Sequence, residues 1–472
     1  MPQDIFLFDT LTKQKQQIKT LKADELKMYV CGPTVYDDVH IGNARSFVFY
    51  DLLFRIFKAS FESVVYVRNI TDVDDKIIAR AKLSGKLEAE VSGSAIESFA
   101  NACKFLNCLK PSHEPKVTEH LQEIISLIQS LIDNGHAYEA DGDVFFKVSS
   151  FKEYGRLANR RLEDMLAGAR IEVSQNKQNA EDFVLWKKTN PEDGVCFNSP
   201  FSRGRPGWHI ECSAMAQKYL GDNFDIHGGG VDLQFPHHEN EIAQSKCGFK
   251  GSSHATYWVH NGFLMVGGQK MSKSLGNFVT VKDIEASGIH GEVLRLALLS
   301  THYTKPLDFS DALLFSTKKI LSRFYSLISP ELIAKHNAEG GFLPSIEALA
   351  EPLRECILED VNISKYLAIM HSIARDIANT KDETEKQRLT LELFFAGRLL
   401  GVFYDPNYTQ NQENIIDGDN YNKALELANQ RAESKKMKDF KQSDALREQV
   451  KNLGFNIIDG DNYTFRLESL TN

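Results

Sequence analysis

Two short segments of the chain carry side chains that suit phosphate chemistry. The first reads CGPTVYDDVHIGN from Cys31 to Asn43, and it lies between a short apolar run and a run with helical periodicity. A helix that begins there points free backbone N–H groups at a bound phosphate. His40 and Asn43 can donate hydrogen bonds to phosphate oxygens, and Gly42 lets a base or ribose approach closely. The alternative is an ordinary strand-to-helix turn with a capping residue.

The second segment reads KMSKSLGN and contains Lys270 and Lys273. Two lysines in a loop of serine and glycine suit a mobile cationic clamp, which would stabilise a pyrophosphate leaving group. The alternative is a solvated basic loop that binds nothing.

A third set of residues has the chemistry of metal ligands. Its members are Cys31, Cys212, His237 and Glu241. Two thiolates, an imidazole and a carboxylate are good ligands for zinc. Pro236 suits the first position of a helix, on which His237 and Glu241 would lie one turn apart on one face. The spacing is not that of a zinc finger, and His238 or Glu239 can serve as the ligand instead.

An α/β unit must position the first segment. Lys27–Val30 predicts a strand, Asn43–Ala59 predicts a helix and Ser63–Val67 predicts a second strand. This order is a βαβ unit, which favours a parallel sheet. We therefore predict an α/β fold with a doubly wound parallel sheet of Rossmann type. Ligands of such sheets bind at the carboxyl ends of the strands.

The rest of the chain divides by its patterns. Between about residues 118 and 207, a helix that ends at Gly135 and several short strands indicate an insertion into the α/β domain. Residues 311 to 404 are helical in pattern, with wide apolar stripes. Asp405–Asn420 is polar and rich in Asn and Asp, as linkers are. In the small unit that follows, positions 431 to 451 contain seven Lys and Arg residues and only four acidic residues.

Composition limits the classes of function. The chain has 472 residues, of which 42% are hydrophobic and 25% are charged, as in ordinary globular proteins. With a net charge of −9, the electrostatic field of the whole protein does not attract nucleic acid. Binding of nucleic acid would therefore need a local basic patch. The N-terminus lacks the pattern of a secretory signal, and no apolar run approaches the about 18 residues of a membrane span. We expect a cytoplasmic protein that does not bind a membrane.

Cysteine usage indicates a reducing compartment. The chain has seven cysteines, which is an odd number, and no two of them form a C-x-x-C motif. Five lie apart from the candidate ligands and are expected to be buried small hydrophobic residues: Cys103, Cys108, Cys196, Cys247 and Cys356.

The two phosphate segments, in this order, resemble the HIGH and KMSKS signatures of class I aminoacyl-tRNA synthetases. The second matches letter for letter, and the first differs at Asn43, where the signature has His. Three longer runs resemble the cysteinyl-tRNA synthetase family, namely CGPTVYDDVHIGNAR, GWHIECSAM and HGGGVDLQFPHHENEIAQ. This resemblance covers about residues 20 to 310, and the C-terminal part agrees with the family in order and size.

The resemblance implies a role for each candidate residue. The expected ligands of one Zn²⁺ ion per chain are Cys31, Cys212, His237 and Glu241. The expected catalytic residues, which stabilise charge on the phosphates, are His40, Asn43, Lys270 and Lys273. The expected contacts of ATP, which binds with Mg²⁺, are His40, Gly42, Asp232 and Lys273. The expected contacts of the amino acid are Gly32, Thr71 and Trp208. The glycine run His227–Gly230 fits a backbone platform for adenine, with Asp232 near the ribose.

The implied reaction explains why such an enzyme contains zinc. The carboxylate of L-cysteine attacks the α-phosphate of ATP and releases pyrophosphate, and the cysteinyl group then passes to the terminal adenosine of tRNA(Cys). A hydrophobic pocket separates side chains that differ by one methylene by only about 1–3 kcal/mol. A metal that binds the substrate thiolate discriminates more strongly, because hydroxyl and methyl groups are poor zinc ligands.

The resemblance also assigns the domains and partners. The expected divisions are residues 1–117 and 208–250 as the catalytic domain, 118–207 as an inserted connective subdomain, 251–310 as the KMSKS-containing region that contacts the tRNA stem, 311–404 as a helical bundle, 405–420 as a linker and 421–472 as an anticodon-binding domain. We expect a monomer whose partners are tRNA(Cys), ATP and L-cysteine.

Two other functions remain open. Ligases that join activated cysteine to an amino sugar share the core and the zinc site, but they lack the full tRNA-reading tail. A non-catalytic tRNA-binding relative usually loses signature residues, which this chain retains.

Overall fold

The computed structural model describes residues 4–159, 176–271, 277–341, 343–409, 418–459 and 465–469. The β-strands of these residues are β1 (Phe6–Asp9), β2 (Gln14–Gln17), β3 (Glu25–Val30), β4 (Ser63–Arg68), β5 (Ala137–Ala140), β6 (Asp143–Phe146), β7 (Phe183–Lys188), β8 (Gly204–Pro206), β9 (Asn223–Gly230), β10 (His254–Asn261), β11 (Leu264–Val266), β12 (Gln269–Lys270), β13 (Leu307–Phe309), β14 (Phe455–Asp459) and β15 (Phe465–Ser469). The α-helices are α1 (Ile41–Ser60), α2 (Asp75–Ser84), α3 (Glu88–Phe105), α4 (Leu121–Asp133), α5 (Trp208–Leu220), α6 (Glu239–Gly248), α7 (Val281–Ala286), α8 (Gly291–Leu299), α9 (Asp311–Tyr325), α10 (Pro330–Ala338), α11 (Glu351–Leu358), α12 (Ile363–Asn379), α13 (Glu383–Leu400), α14 (Gly418–Lys436) and α15 (Phe440–Asn452).

A four-stranded parallel sheet lies at the centre of the α/β part of the chain. Its strand order is β10, β9, β3, β4, and all three pairings are parallel. The predicted βαβ unit is present as β3, α1 and β4, with helix and strand bounds close to those expected from the sequence. The α/β fold class is therefore confirmed.

The two faces of this sheet belong to two separate hydrophobic cores. Successive side chains of a strand point to opposite faces. Along β3, Leu26, Met28 and Val30 lie in the core that also contains α1 and the helical region. Tyr29 and Cys31 lie in the other core, with α4, α5 and α6. The alternation therefore directs Cys31 to the face where the other candidate metal ligands lie.

Buried charges join helix α1 to helix α8 across the first core. Oδ2 of Asp51 accepts hydrogen bonds from Nε of Arg55 at 2.7 Å and from Nη2 of Arg295 at 2.5 Å. Burial opposes the charged form of Asp51, but the two arginines outweigh burial and hold its pKa below the ordinary value. The three side chains are buried, so each charge depends on its partners.

The predicted insertion forms an antiparallel sheet beside the second core. Its strands lie in the order β5, β6, β7, β8. Helix α4 and the sheet residues Phe146 and Trp186 share that core with α5 and α6. The segment after β6 also contacts α6, since the backbone N–H groups of Leu157 and Ala158 donate to Oε2 of Glu239.

The C-terminal part is helical and then ends in a small α/β unit. Helices α9 to α13 share the first core with α1 and α8. Tyr408, which the sequence placed in the linker, is buried, and its ring stacks on Tyr325 at 4.0 Å between centroids. In the terminal unit, α14 and α15 pack against the antiparallel pair β14 and β15. No helix in the described ranges is both long and apolar enough to cross a membrane.

Candidate active site and metal centre

The four candidate metal ligands converge beside the carboxyl end of β3. Cys31 directly follows β3, Cys212 lies on α5, His237 lies in the π-helical turn Gln234–His238, and Glu241 lies in the first turn of α6. One ligand atom from each of the four lies within 4.8 Å of the others, and all four residues are buried. Helix α6 begins only at Glu239, so His237 precedes the helix that the sequence predicted to carry it.

The distances within this cluster suit a four-coordinate metal ion. The two Sγ atoms of Cys31 and Cys212 lie 3.7 Å apart. Tetrahedral zinc with Zn–S bonds of about 2.3 Å separates two sulfur ligands by about 3.8 Å. Oε1 of Glu241 lies 3.0 Å from Nε2 of His237 and 3.4 Å from Sγ of Cys31. The donor set and the sulfur spacing therefore fit zinc.

The electrostatics of the cluster favour the charged forms of Cys212 and Glu241 but not that of Cys31. Burial disfavours a thiolate, but the hydrogen bond with Cys31 and the neighbouring His237 outweigh it, so the pKa of Cys212 falls to about 6. Burial and the hydrogen bond with Cys212 raise the pKa of Cys31 well above its ordinary value. Burial also opposes the carboxylate of Glu241, yet His227 and His237 hold its pKa well below the ordinary range. Cys212 is therefore the first thiolate of the pair.

A second group of possible ligands shares two members with the first. It consists of Cys31, His227, His238 and Glu241. Nε2 of His238 lies 3.3 Å from Sγ of Cys31. The alternative ligand His238 therefore lies within the cluster. Glu239 belongs to neither group, and its Oε2 accepts two backbone N–H groups of the insertion.

A chain of buried hydrogen-bonded histidines extends from the cluster, and sequence reasoning missed it. Nδ1 of His238 lies 2.7 Å from Nε2 of His260, and Nδ1 of His260 lies 2.8 Å from Oγ1 of Thr10. Burial and the neighbouring His227 lower the pKa of His238 and His260 well below the ordinary value, so both rings are neutral. The only sequence signal was the occurrence of histidine inside two apolar strand-like runs, since buried histidines are uncommon without a partner.

The residues that are expected to contact the substrate amino acid lie around the cluster and differ in solvent exposure. Thr71 is buried, and its hydroxyl donates to Oε2 of Glu211 at 2.8 Å. The Trp208 side chain is 37% exposed and stacks on the ring of His237 at 4.2 Å. The backbone N–H of Gly32 donates to Oδ1 of Asn69 at 2.8 Å. A Cβ at Gly32 would lie 1.6 Å from the carbonyl oxygen of Asn69, so the loop requires glycine there.

His40, Gly42 and Asn43 lie at the N-terminus of α1, as the first segment predicted. Nδ1 of His40, the N-cap residue, accepts a hydrogen bond from the backbone N–H of Asn43 at 3.2 Å. A Cβ at Gly42 would lie 2.9 Å from Nδ1 of His40 and 3.3 Å from Cε of Met271. Glycine therefore allows the second segment to approach the start of this helix.

Backbone pairing holds the first phosphate segment against the residues that directly follow the second. The N–H of Ile41 donates to the carbonyl of Val279 at 3.0 Å, and the N–H of Val281 donates to the carbonyl of Val39 at 2.9 Å. Lys270 ends strand β12 and is exposed, with Nζ 4.3 Å from the centre of the Phe263 ring. Lys273 lies outside the described residues.

The glycine run before Asp232, which is expected to form a platform for adenine, is mostly buried. Gly228 and Gly229 are buried in β9, and a Cβ at Gly228 would lie 2.3 Å from the ring of Tyr50. Gly230 retains some exposed surface, and Asp232 is exposed. The exposed surface of the run therefore lies at its end, next to Asp232, and the adenine platform stays a prediction.

The five other cysteines divide into two groups. Cys247 and Cys356 are buried, as expected. The expectation of burial is wrong for Cys103, Cys108 and Cys196, which are half-buried.

Comparisons with known proteins agree with this fold and site. A family model described as the class I (C) tRNA synthetase catalytic domain matches residues 17–319. Two solved structures share the fold. A methionyl-tRNA synthetase of Mycobacterium tuberculosis with methionyl-adenylate has a TM-score of 0.53 at 14% identity, over 80% of this chain and 89% of that one. A LeuRS of Agrobacterium radiobacter K84 in a ternary complex with tRNA and LeuAMS has a TM-score of 0.55 at 11% identity, over 83% and 85%. The chain is a class I aminoacyl-tRNA synthetase by fold and family.

Curated relatives narrow this class. The cysteine–tRNA ligase of Wolbachia pipientis subsp. Culex pipiens (strain wPip) is 46% identical over 95% of this chain and 94% of the relative. The cysteine–tRNA ligases of Rickettsia bellii (strain OSU 85-389) and Ehrlichia canis (strain Jake) are 46% and 44% identical, each over 95% of this chain and 96% of the relative. The chain belongs to the cysteine–tRNA ligase family and is a ligase.

Proposed function

We propose that this ligase activates L-cysteine with ATP and transfers the cysteinyl group to the 3′ end of tRNA(Cys). The observation that carries the proposal is the meeting of Cys31, Cys212, His237 and Glu241 at the end of β3. The same loop leads from Cys31 to His40 and the start of α1, where a phosphate can bind. One loop therefore connects a thiol-selective pocket to the place where the α-phosphate must lie.

The four ligands would hold one zinc ion. When bound, zinc supplies a ligand position for the substrate thiolate and lowers the pKa of that thiol. Trp208 stacks on His237 and restricts the orientation of its ring. Asn69 supports the pocket floor, because its Oδ1 accepts from Gly32 N and lies 3.7 Å from Sγ of Cys212. These contacts pre-organise the ligands before the amino acid binds.

The negative charges on the phosphates of ATP would be stabilised by Mg²⁺ together with His40, Asn43, Lys270 and Lys273. Nδ1 of His40 accepts a hydrogen bond from the backbone of α1, so in this tautomer Nε2 carries the proton and can donate to a phosphate. Asn43 is exposed at the same helix end. Gly42 and the exposed Asp232 would contact the nucleotide. The substrate carboxylate is itself the nucleophile, so orientation and charge stabilisation can provide the rate without a protein nucleophile.

The C-terminal regions would bind the tRNA. We propose that residues 251–310 contact the acceptor stem, that residues 118–207 are an inserted connective subdomain, and that the small terminal unit contacts the anticodon. The excess of Lys and Arg between positions 431 and 451 supports this assignment, because phosphate contacts need a local positive charge in an acidic protein. The monomeric state and the cytoplasmic location stay predictions.

Pyrophosphate exchange with a panel of amino acids tests the first step. We expect exchange with cysteine, and kcat/KM values at least about 10³-fold lower with serine, alanine and valine. Removal of the metal with a chelator should abolish the cysteine-dependent exchange, and added zinc should restore it. Exchange that serine supports as well as cysteine would contradict the proposal.

Aminoacylation of tRNA(Cys) tests the second step and separates it from cysteine transfer to an amino sugar. We expect cysteinyl-tRNA to form and no product with an amino sugar as acceptor. The opposite outcome would assign the chain to the amino-sugar ligases.

A further inference from the structure

Cys103 and Cys108 occupy the two contacting positions of a helix-ending turn. Helix α3 ends in a Schellman motif with Leu106 as the C-cap and Asn107 in the left-handed region at φ 54°. The N–H of Cys108 donates to the carbonyl of Cys103 at 2.8 Å, and the N–H of Asn107 donates to that of Lys104 at 3.0 Å. This motif brings the side chains at its C3 and C″ positions into contact. Those positions are Cys103 and Cys108.

The two thiols contact each other, and each lies near an arginine. Cys108 is the largest influence on the pKa of Cys103, and Cys103 is the largest influence on the pKa of Cys108, so the two side chains interact. Sγ of Cys103 lies 3.8 Å from Nη2 of Arg68, and Sγ of Cys108 lies 3.9 Å from Nη1 of Arg295. Each of the two residues retains some exposed surface. The hydrogen bond from Cys108, assisted by Arg68, lowers the pKa of Cys103, whereas the pKa of Cys108 is raised well above its ordinary value.

The turn is anchored from the first core. Nη1 of Arg295 donates to the carbonyl of Leu106 at 2.9 Å, and Arg55 donates to the carbonyl of Asn107. A bond between the two sulfurs therefore requires side-chain rotation within a turn whose backbone is already held.

We propose that Cys103 and Cys108 form a reactive thiol pair that is oxidised by low-molecular-weight disulfides. In the first step the Cys103 thiolate attacks one sulfur of the reagent, whose S–S bond breaks and releases one thiolate. In the second step the Cys108 sulfur attacks the Cys103 sulfur of the mixed disulfide, and the second reagent thiolate leaves with the Cys108 proton. Two protein thiols are oxidised to one disulfide, and the reagent disulfide is reduced to two thiols.

Glutathione disulfide, added to the reduced, zinc-loaded full chain, tests the proposal. The reaction is stopped by alkylation at intervals, and tryptic peptides are analysed by mass spectrometry. Trypsin cuts after Lys104 and so separates the two cysteines onto different peptides. We expect these peptides to become joined by a disulfide, with at least about tenfold faster reaction at Cys103 than at Cys196.

Cys196 is the matched control within the same chain. It is also half-buried, and its Sγ accepts a hydrogen bond from Nε of Arg203 at 3.1 Å, but in the described part of the chain it makes no hydrogen bond to a second cysteine. We expect Cys196 to stop at the mixed disulfide. Cys108→Ser should trap glutathione on Cys103, and Cys103→Ser should leave Cys108 unreacted.

Three results would overturn the proposal: a mixed disulfide that persists on Cys103 in the unaltered chain, a rate at Cys103 no greater than at Cys196, or first attack by Cys108. The unaltered chain provides all three readouts even if a variant fails to fold.

Discussion

The Sγ atoms of Cys31 and Cys212 lie 3.7 Å apart, one at the end of a strand and the other on helix α5. The two thiols therefore act as one titrating pair, in which Cys212 loses its proton first. The other two ligands of a metal ion that binds both sulfurs would come from helix α6 and the turn before it.

The first prediction concerns the thiolate of the substrate. In the cobalt-substituted protein, added cysteine should increase the thiolate-to-cobalt charge-transfer absorption, because a third sulfur joins the metal. Serine is the control and should leave the spectrum nearly unchanged. If cysteine leaves the spectrum untouched while activation proceeds, the metal is only structural and discrimination against serine has another origin.

The second prediction separates the two overlapping groups of ligands. Cys212 and His237 belong only to the first group, and His227 and His238 belong only to the second. Cys212→Ser and His237→Ala should lower the zinc content per chain severely, and Cys212→Ser should weaken cysteine binding far more than ATP binding. His238→Gln, the matched control, should retain zinc. The zinc content of each variant after dialysis decides between the two groups. Loss of zinc only in His238→Gln would show that the second group binds the metal.

The third prediction concerns the leaving group. Lys273→Ala should lower the rate of adenylate formation by about 10²–10³, as expected for the loss of one preorganised donor. The dissociation constant of cysteine should barely change, because the lysine acts on pyrophosphate. Single-turnover kinetics with equilibrium binding of cysteine checks both values. Normal adenylation by the variant would refute the assignment of this loop.

The fourth prediction concerns the terminal unit. The chain should be cut after Thr409, since Tyr408 is buried against Tyr325 and a cut after Tyr404 would remove part of the core. Cysteine-dependent pyrophosphate exchange should survive, while charging of tRNA should fall at least about tenfold. The tRNA affinity of the full chain should fall with salt more steeply than that of the shortened chain, because Lys and Arg contacts release counterions.

Two outcomes of this truncation would count against the prediction. Equal loss of exchange and charging would make the tail part of the catalytic fold. Undiminished charging would show that the tail has another purpose.

The fifth prediction concerns the acid stability of the same unit. Asp459 accepts hydrogen bonds from Arg431 at 2.6 and 3.0 Å and pairs with Lys435 at 2.9 Å, so its pKa lies below the ordinary value. A depressed pKa adds stability above the unfolded pKa of about 3.9, and this stability is lost as the pH falls toward the folded value. Since the side chain is 35% exposed, solvent screening limits the contribution to about 1 kcal/mol.

The free energy of unfolding of the terminal unit, measured at several pH values, tests whether its stability falls as the pH falls. Asp459→Asn should destabilise it at pH 7 and remove the loss of stability that the unaltered unit shows below about pH 4. Asp444→Asn, at an exposed position on α15, is the matched control and should change neither. An unchanged acid transition in Asp459→Asn would contradict the role of this ion cluster.

Several local features followed from the sequence because they depend on neighbours in the chain. The apolar run Lys27–Val30 and the helical periodicity after Asn43 predicted the βαβ unit, since strand and helix periodicities differ. The residue types of the two phosphate segments and of the four candidate ligands likewise identified their chemistry and the family.

The resemblance to the family predicted that the four candidate ligands meet, and the tertiary structure decided which other residues join them. Cys31 and Cys212 are 181 positions apart, and His227, His238 and His260 form a buried cluster that only the fold brings together. The sequence also did not predict that Tyr408, inside a polar segment, is buried, because its burial depends on stacking against the ring of Tyr325. Long-range pairing and core packing bring such residues together, and their effect on pKa and ligand geometry depends on distances that the order of residues does not contain.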